Sequence, residues 1–409
     1  MRVLVLSGRT ARQPWTHGAI VQAICSALAA RGHAVVLAAQ SIDEPRAFAG
    51  CEAVHAFDSF DQTATDWPLG FATWARRRRG RIPHDVSVSL SRLVGGDVWM
   101  PLDPSAAAWL ARAARSLSVP SLAIALARHC GVFRAWAGEA FFVAPIRGDD
   151  ESIRRVLAIG PARDDAARRL QRARGLGERV RRVEPFAAIV PPSETELRAL
   201  RDRTRAILGI APNRRVVLVS APRPVGKLLD PLLLAVRELA LREGEGSPVM
   251  LALARDGYAV HSRAVRCAAV KSLRVMGLTE RMDAALAAAD MVALPIRAER
   301  GVFEQGGAGR LAADALALGR PLLALAGSVG SSLARLRSSG DDSPGIVVEQ
   351  SSRELWSRAL RQACEAGWAV RSAAAAREVA GTLTFERFME ALDTALHEAA
   401  RERGAPAIS

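Results

Sequence analysis

Short apolar runs separated by stretches of helical periodicity recur along the whole chain, and this alternation leaves few folds open. Val3-Leu-Val-Leu6, a loop containing Pro and Gly, a helical stretch over 20–31 ended by Gly32-His33, and Ala34-Val-Val-Leu-Ala38 form a strand, helix, strand opening. A parallel sheet begins in this way. Further strands are expected at 86–90 and 98–102 in the first half. The second half has candidates at 216–219, 249–252, 273–276, 291–294, 321–324 and 345–348. Helical patterns lie between most of them, as at 228–241, 282–289, 311–318 and 355–366. The pattern predicts an α/β chain with two doubly wound domains, and a length of 409 residues exceeds what one ordinary core accommodates.

The expected boundary is the stretch Val183-Glu-Pro-Phe-Ala-Ala-Ile-Val-Pro-Pro192, where three prolines interrupt the periodicity. The expected division is 1–185, a linker at 186–204, a second domain at 205–380, and a terminal amphipathic helix within 381–409 that packs back on the first domain. Arginine-rich runs at 76–81 and 168–182 read as solvated faces.

The net charge of +14, from 56 basic and 42 acidic residues, favours acidic partners such as phosphorylated glycans or an anionic membrane surface. No zinc-finger spacing, RNA-binding aromatic signature or helix-turn-helix pattern accompanies that charge, so nucleic acid is not an expected partner. Cys25, Cys51, Cys130, Cys267 and Cys364 are scattered without a paired spacing. They read as small buried residues of a reducing compartment, neither a disulfide framework nor a metal site. No segment has the uncharged length of a membrane span. The expected location is therefore cytoplasmic, with any membrane contact peripheral.

Among so many arginines the only lysines are Lys227 and Lys271. Lys227 ends Ser220-Ala-Pro-Arg-Pro-Val-Gly-Lys227, directly after an apolar strand. A compact ammonium at the carboxyl end of a strand, beside loop N–H groups, suits a bound phosphate. By residue type alone a solvated surface lysine fits equally well. Further on, Gly306-Gly-Ala-Gly309 opens a helical stretch. Free N–H groups and the positive dipole end at a helix start attract phosphate, and glycine lets the backbone approach closely. Turn chemistry alone would also account for those glycines.

The order and spacing of several segments resemble the retaining GT-B glycosyltransferases of the large GT4 family over nearly the whole chain. These segments are Ala29-Ala-Arg-Gly-His-Ala-Val35, Pro191-Pro192, Lys227, Arg274-Val-Met-Gly277, Ala287-Ala-Ala-Asp-Met-Val-Ala-Leu-Pro295 and Asp314-Ala-Leu-Ala-Leu-Gly-Arg-Pro321. Within that family the chain is most similar to the lipopolysaccharide core α-glucosyltransferases. Phe71-Ala-Thr-Trp-Ala-Arg-Arg-Arg-Arg-Gly-Arg81, the strand containing Gly96-Asp97-Val-Trp99, and Arg128-His129 carry that narrower likeness. The resemblance implies two Rossmann-like domains facing an interdomain cleft, and no metal or other cofactor. It also implies a nucleotide-sugar donor, UDP-linked, and a glycan or glycolipid acceptor.

It further implies roles for individual residues. Lys227, assisted by Arg223, would stabilise the departing pyrophosphate. Gly277, Gly306, Gly307, Ala308 and Gly309 would hold the donor. The family's two glutamates, with seven residues between them, bind the donor sugar and the ribose. The second falls on Asp314, which is one methylene shorter, whereas Gly306 occupies the first position. Glu299 and Glu304 are the candidates to replace it. In the first domain, Trp15-Thr-His-Gly18 stands where the family has a Gly-Gly loop, making His17 and Gly18 acceptor candidates. Arg92, Asp97 and Asp103 would grip a hydroxylated or phosphate-bearing acceptor; outside the resemblance, Asp97 reads as a turn residue at a strand start. Arg76, Arg77, Arg78 and Arg79, with Phe71 and Trp74 nearby, are a candidate contact for anionic lipid. The altered first glutamate leaves a GT-B pseudoenzyme that binds without transfer as the alternative. A sugar-nucleotide epimerase of similar architecture is a weaker one, because the paired acid and base of that class have no recognisable counterpart.

Overall fold

The computed structural model describes residues 1–10, 17–42, 44–57, 68–91, 95–100, 153–159, 179–187, 189, 191–220, 226–254, 257–277, 282–295 and 305–404. The chain divides into two compact units. One comprises Met1–Glu184, Glu299–Gly307 and Glu386–Ser409, and the other Pro185–Ala298 and Ala308–Phe385.

Among the described residues the first unit carries a seven-stranded parallel sheet. Its strands are β1 (Arg2–Thr10), β2 (Ala34–Ile42), β3 (Ala53–Ala56), β4 (Val86–Ser89), β5 (Val98–Trp99), β6 (Arg155–Ile159) and β7 (Val180–Val183). Their spatial order is β3-β2-β1-β4-β5-β6-β7, so the sheet is built outward in both directions from β1 and β4. Helix α1 (His17–Ala30) joins β1 to β2, and Gly32 at φ +80° terminates it in the left-handed conformation that glycine adopts without strain. Helix α2 (Pro68–Arg81) precedes β4 and buries Phe71 and Ala75 against Leu4, Leu6, Val36 and Ala38.

Among its described residues the second unit repeats the plan with six parallel strands. They are β8 (Val216–Ser220), β9 (Val249–Ala254), β10 (Leu273–Gly277), β11 (Met291–Leu294), β12 (Leu322–Leu325) and β13 (Gly345–Val348), in the order β10-β9-β8-β11-β12-β13. Both faces are covered, so β9 is apolar and buried along its whole length and does not alternate. The helices are α3 (Glu194–Ile207), α4 (Gly226–Glu243), α5 (Gly257–Arg266), α6 (Met282–Ala288), α7 (Gln305–Ala317), α8 (Val329–Ala334), α9 (Arg353–Cys364) and α10 (Ala366–Ala380). The stretch expected as a linker, 186–204, holds most of α3. A capping box fixes that helix start: Ser193 Oγ accepts from Glu196 N, and the Glu196 carboxylate accepts from Ser193 N.

The last helix, α11 (Phe385–Glu402), belongs to the first unit from Glu386 onward. It buries Phe388, Met389, Leu392, Ala395, Leu396, Ala399 and Ala400, a stripe at helical spacing. Its polar flank is tied along the amino edge of the first sheet. Glu386 pairs with Arg31, and Asp393 Oδ1 lies 2.8 Å from His33 Nε2. Glu398 and Glu402 lie 2.8 and 2.5 Å from Arg155.

The described cysteines are all free. A sulfur hydrogen bond with Cys51, followed by burial, raises the Cys25 thiol well above its ordinary pKa, and the same bond lowers that of half-buried Cys51. Burial pushes the Cys364 thiol up to about 11. Because the thiolate is the reactive form, Cys51 is expected to be alkylated before Cys25 and Cys364 at neutral pH. Timed iodoacetamide labelling with peptide mass spectrometry checks this order, and labelling of Cys364 ahead of Cys51 in folded protein would contradict it.

Candidate functional site

In an open parallel sheet, ligands gather outside the carboxyl ends of the strands, where the strand order reverses. In the second unit that point lies between β8 and β11, which are paired neighbours about 4.8 Å apart. The chain leaves β8 through 221–225 into α4, of which Lys227 is the second residue. It leaves β11 through Pro295 and 296–304 into α7, whose first residues are Gln305-Gly-Gly-Ala-Gly309. The lysine, the candidate carboxylates and the Gly-rich helix start thus follow the two strands that flank one switch point. Arg223, Glu299 and Glu304 themselves lie outside the described residues. Gly277 is the exposed final residue of β10, on the same carboxyl edge.

The first amino-terminal turn of α7 has backbone N–H groups without intrahelical acceptors, and its dipole favours an anion. Burial lowers the pKa of Arg310, while the neighbouring Asp314 opposes that shift. Asp314 is completely buried. Its Oδ1 accepts from the backbone N–H of Ile189 at 3.0 Å, and its Oδ2 lies 3.7 Å from Arg310 Nε. The expected ribose ligand is therefore placed as an internal tie between the 189 segment and α7. A carboxylate with no exposed surface does not reach a ribose in this conformation.

The motif residues around it also have structural tasks. Gly319 closes α7 at φ +65°, and a Cβ there would lie 2.8 Å from Arg377 Nε. Arg320 donates to the carbonyls of Leu286 and Ala287 at the end of α6, and burial pulls its pKa down to about 10. Asp290, inside the Ala-Ala-Ala-Asp segment, accepts from Arg205 and from the Val216 N–H through Oδ2, at 2.8 and 2.7 Å. Its Oδ1 accepts from Arg201 at 2.8 Å. Arg205, only 1% exposed, also donates to the carbonyls of Ala288, Pro212 and Arg214. This clamp joins α3 to the amino ends of β8 and β11, at the opposite end of the strands from the switch point.

In the first sheet the reversal lies between β1 and β4. His17 and Gly18 open α1 after β1, and Arg92 follows β4 but lies outside the described residues, as does Asp103. Asp97 differs from the other acceptor candidates. It precedes β5, at the amino edge, and is 2% exposed. Its carboxylate accepts from Ser87 N at 2.7 Å, Ser87 Oγ at 2.5 Å and Arg79 at 3.1 Å, with Arg403 at 3.4 Å. It is an anchor at the far end of the strands from the expected acceptor position. Sequence reading missed Arg403 and Arg154, which meet this carboxylate region only because α11 and β6 return to it.

The lipid-contact segment is corrected in a similar way. Phe71 is fully buried in the core, and half-buried Trp74 packs 5.6 Å from the Phe57 ring and beneath the Arg78 guanidinium. Neither aromatic is available as a free membrane anchor, while Arg76, Arg77 and Arg78 are exposed and Arg79 turns inward to Asp97. Among the described residues no helix is long and apolar enough to cross a membrane. The ligand-type atoms of His33, Asp393 and His397 lie within 4.8 Å of one another. Yet His33 Nδ1 is buried without a hydrogen-bond partner, whereas a metal-bound imidazole ordinarily has its second nitrogen held. The arrangement reads as a hydrogen bond that ties His33, just before β2, to α11.

No family profile matches the sequence, and no curated protein matches it. Solved structures do match the whole fold. WaaG, a glycosyltransferase involved in lipopolysaccharide biosynthesis, aligns at TM-score 0.70 and 17% identity over 97% of this chain and 99% of its own. HepE of Anabaena, in complex with UDP and glucose, aligns at TM-score 0.63 and 15% identity, covering 97% and 100%. Starch synthase IV of Arabidopsis thaliana, bound to ADP and acarbose, aligns at TM-score 0.57 and 11% identity, covering 98% and 99%. These likenesses show that the chain has the GT-B fold.

Proposed function

We propose that this chain is a retaining glycosyltransferase that moves a hexose from a UDP-sugar to a glycolipid acceptor resembling a lipopolysaccharide core. The observation that carries the reading is topological. Lys227 opens α4 after β8, and the segment bearing Glu299 and Glu304 leaves β11, the paired strand on the other side of the switch point.

In this reading the pyrophosphate lies against the starts of α4 and α7. As the glycosidic bond breaks, negative charge grows on the leaving diphosphate. Lys227, with Arg223, stabilises that charge more in the transition state than in the ground state, which is the condition for raising turnover. Glu299 or Glu304 takes the sugar hydroxyls, in place of the glutamate that Gly306 has displaced. Gly277 and the Gly306–Gly309 backbone complete the donor site, and no metal is required. The acceptor is held at the carboxyl edge of the first sheet by His17, Gly18, Arg92 and Asp103. The place of action is the cytoplasm, with Arg76, Arg77 and Arg78 supplying weak peripheral attraction to an anionic inner leaflet, about 1 kcal/mol each. That HepE is solved with UDP and glucose supports the choice of donor.

The test is calorimetric titration with UDP, GDP and ADP, followed by measurement of UDP-glucose hydrolysis. Micromolar binding selective for UDP, with slow hydrolysis, is the expected result. Absence of nucleotide binding by folded protein would sink the transferase reading. One observation favours the pseudoenzyme alternative: Asp314 is completely buried and already engaged, and the other family glutamate is Gly306. UDP binding without hydrolysis or transfer to any supplied glycolipid would decide for it.

A further inference from the structure

Helix α1 buries a stripe of Val21, Ile24, Cys25 and Leu28. The turn that leads into β3 runs alongside this helix: a Cβ placed on Gly50 would lie 3.9 Å from the Ala29 Cβ, one helical turn beyond Cys25. Buried Phe48 anchors that turn, and its carbonyl accepts from the Cys51 N–H at 2.9 Å. Cys51 is thereby carried to α1, where its side chain and that of Cys25 join in a sulfur hydrogen bond. Both cysteines are free. Their environments differ: Cys25 is 2% exposed, whereas Cys51 is half-buried between exposed Gly50 and Glu52.

The hydrogen bond makes the two sulfurs chemically unequal. The bond to Cys51, and then burial, raise the Cys25 thiol well above its ordinary range, and the same bond lowers Cys51. Cys25 therefore keeps its proton and directs it at the Cys51 sulfur. The more easily ionised sulfur is also the one that solvent reaches, and oxidation by peroxide depends on that combination. A second thiol in contact with it can condense with the first oxidation product and hold the chemistry at a reversible stage.

We propose that Cys25 and Cys51 are a redox modification site, at which hydrogen peroxide converts the dithiol into a disulfide between α1 and the turn before β3. The Cys51 thiolate attacks one peroxide oxygen. An S–O bond forms, the O–O bond breaks, and the departing hydroxide takes up a proton to become water. Cys51 is then a sulfenic acid. The Cys25 sulfur next attacks the Cys51 sulfur, an S–S bond replaces the S–O bond, and hydroxide leaves as water with the proton that Cys25 had held. One peroxide and two thiols thus become one disulfide and two waters, and a thiol reductant reverses the modification by exchange. In the reducing compartment expected for this chain such a disulfide is transient. Neither sulfur is a candidate donor or acceptor ligand, so the site stands or falls separately from the transferase reading.

The reduced full chain is exposed to hydrogen peroxide at neutral pH, remaining thiols are blocked with N-ethylmaleimide, and tryptic peptides are mapped by mass spectrometry without reduction. Cys25 lies in peptide 13–31 and Cys51 in peptide 47–76, so the disulfide joins two separate peptides. That linked pair, lighter by two hydrogen atoms than its parts and lost on treatment with dithiothreitol, is the expected result. Cys51 should disappear as a free thiol about tenfold faster than Cys364, since the thiolate fraction favours Cys51 by more than the greater nucleophilicity of a Cys364 thiolate recovers. These readouts use the unaltered chain and need no variant to fold. Cys25→Ser, which removes the second thiol, should leave Cys51 as a sulfenic acid that dimedone traps. Oxidation of Cys51 to sulfinic acid while Cys25 stays free would overturn the proposal. So would a linked pair that forms only in urea, or a Cys51 that reacts no faster than Cys364.

Discussion

Lys227→Ala is expected to lower sugar transfer, or donor hydrolysis where no acceptor is supplied, by about 10²–10³-fold. The loss should appear chiefly in kcat. In the proposed reading the negative charge on the diphosphate is present in the ground state and grows as the glycosidic bond breaks, so ground-state affinity for UDP-sugar should fall less than turnover. Lys227→Arg should recover little, because a planar fork does not replace a compact point charge at a helix start. UDP release assayed across donor concentrations separates the two constants. A variant retaining roughly half or more of wild-type turnover would remove Lys227 from the chemistry.

Asp290→Ala is expected to destabilise the second unit by about 3–5 kcal/mol, the usual cost of breaking a buried ion pair from one side. Arg205, 1% exposed, would keep its charge with only carbonyl partners, and the Val216 N–H would lose its acceptor. The pair as a whole need not be worth that much. An Arg205→Met, Asp290→Leu double variant should recover part of the loss, since apolar replacement removes the stranded charge along with its partner. Urea unfolding of the two variants against wild type measures both figures. A single-variant loss below about 1 kcal/mol, the range of an exposed pair, would show that the clamp is not under strain when opened.

The contrast between Lys227 and Asp290 shows where sequence reading works and where it stops. Both lie in segments that resemble family motifs, and nothing in those short stretches says that one follows a strand's carboxyl end and the other precedes a strand's amino end. Strand direction in the folded sheet makes the distinction. The buried central strands were legible because burial on both faces demands continuous apolar residues: 291–294 is strand β11 to the residue, and 216–219 falls within β8. The outer strands of the first sheet were not. Val180–Val183 reads Val-Arg-Arg-Val inside an arginine-rich run, and β3 is a short strand with no fully buried residue. Their pairing comes from β6 and β2, which no local pattern records. The candidate donor site was legible as an order of segments, because the switch-point geometry follows from topology alone. The cluster of Asp97 with Arg79 and Arg403 was not, because it joins residues more than three hundred positions apart.

The position of α11 has a consequence for biosynthesis. The strands of the first unit are synthesised before those of the second, yet their amino edge is covered by a helix that follows the entire second unit in the chain. Until then Arg31, His33, Asp97 and Arg155 lack their partners from 386–403, and the apolar surface that later meets Met389, Leu392 and Leu396 stays open to solvent. Nascent chains that expose such surface depend on folding aids, and closure between distant segments is slow. Helix α11, translated after the second unit, therefore sets when the first unit is finished.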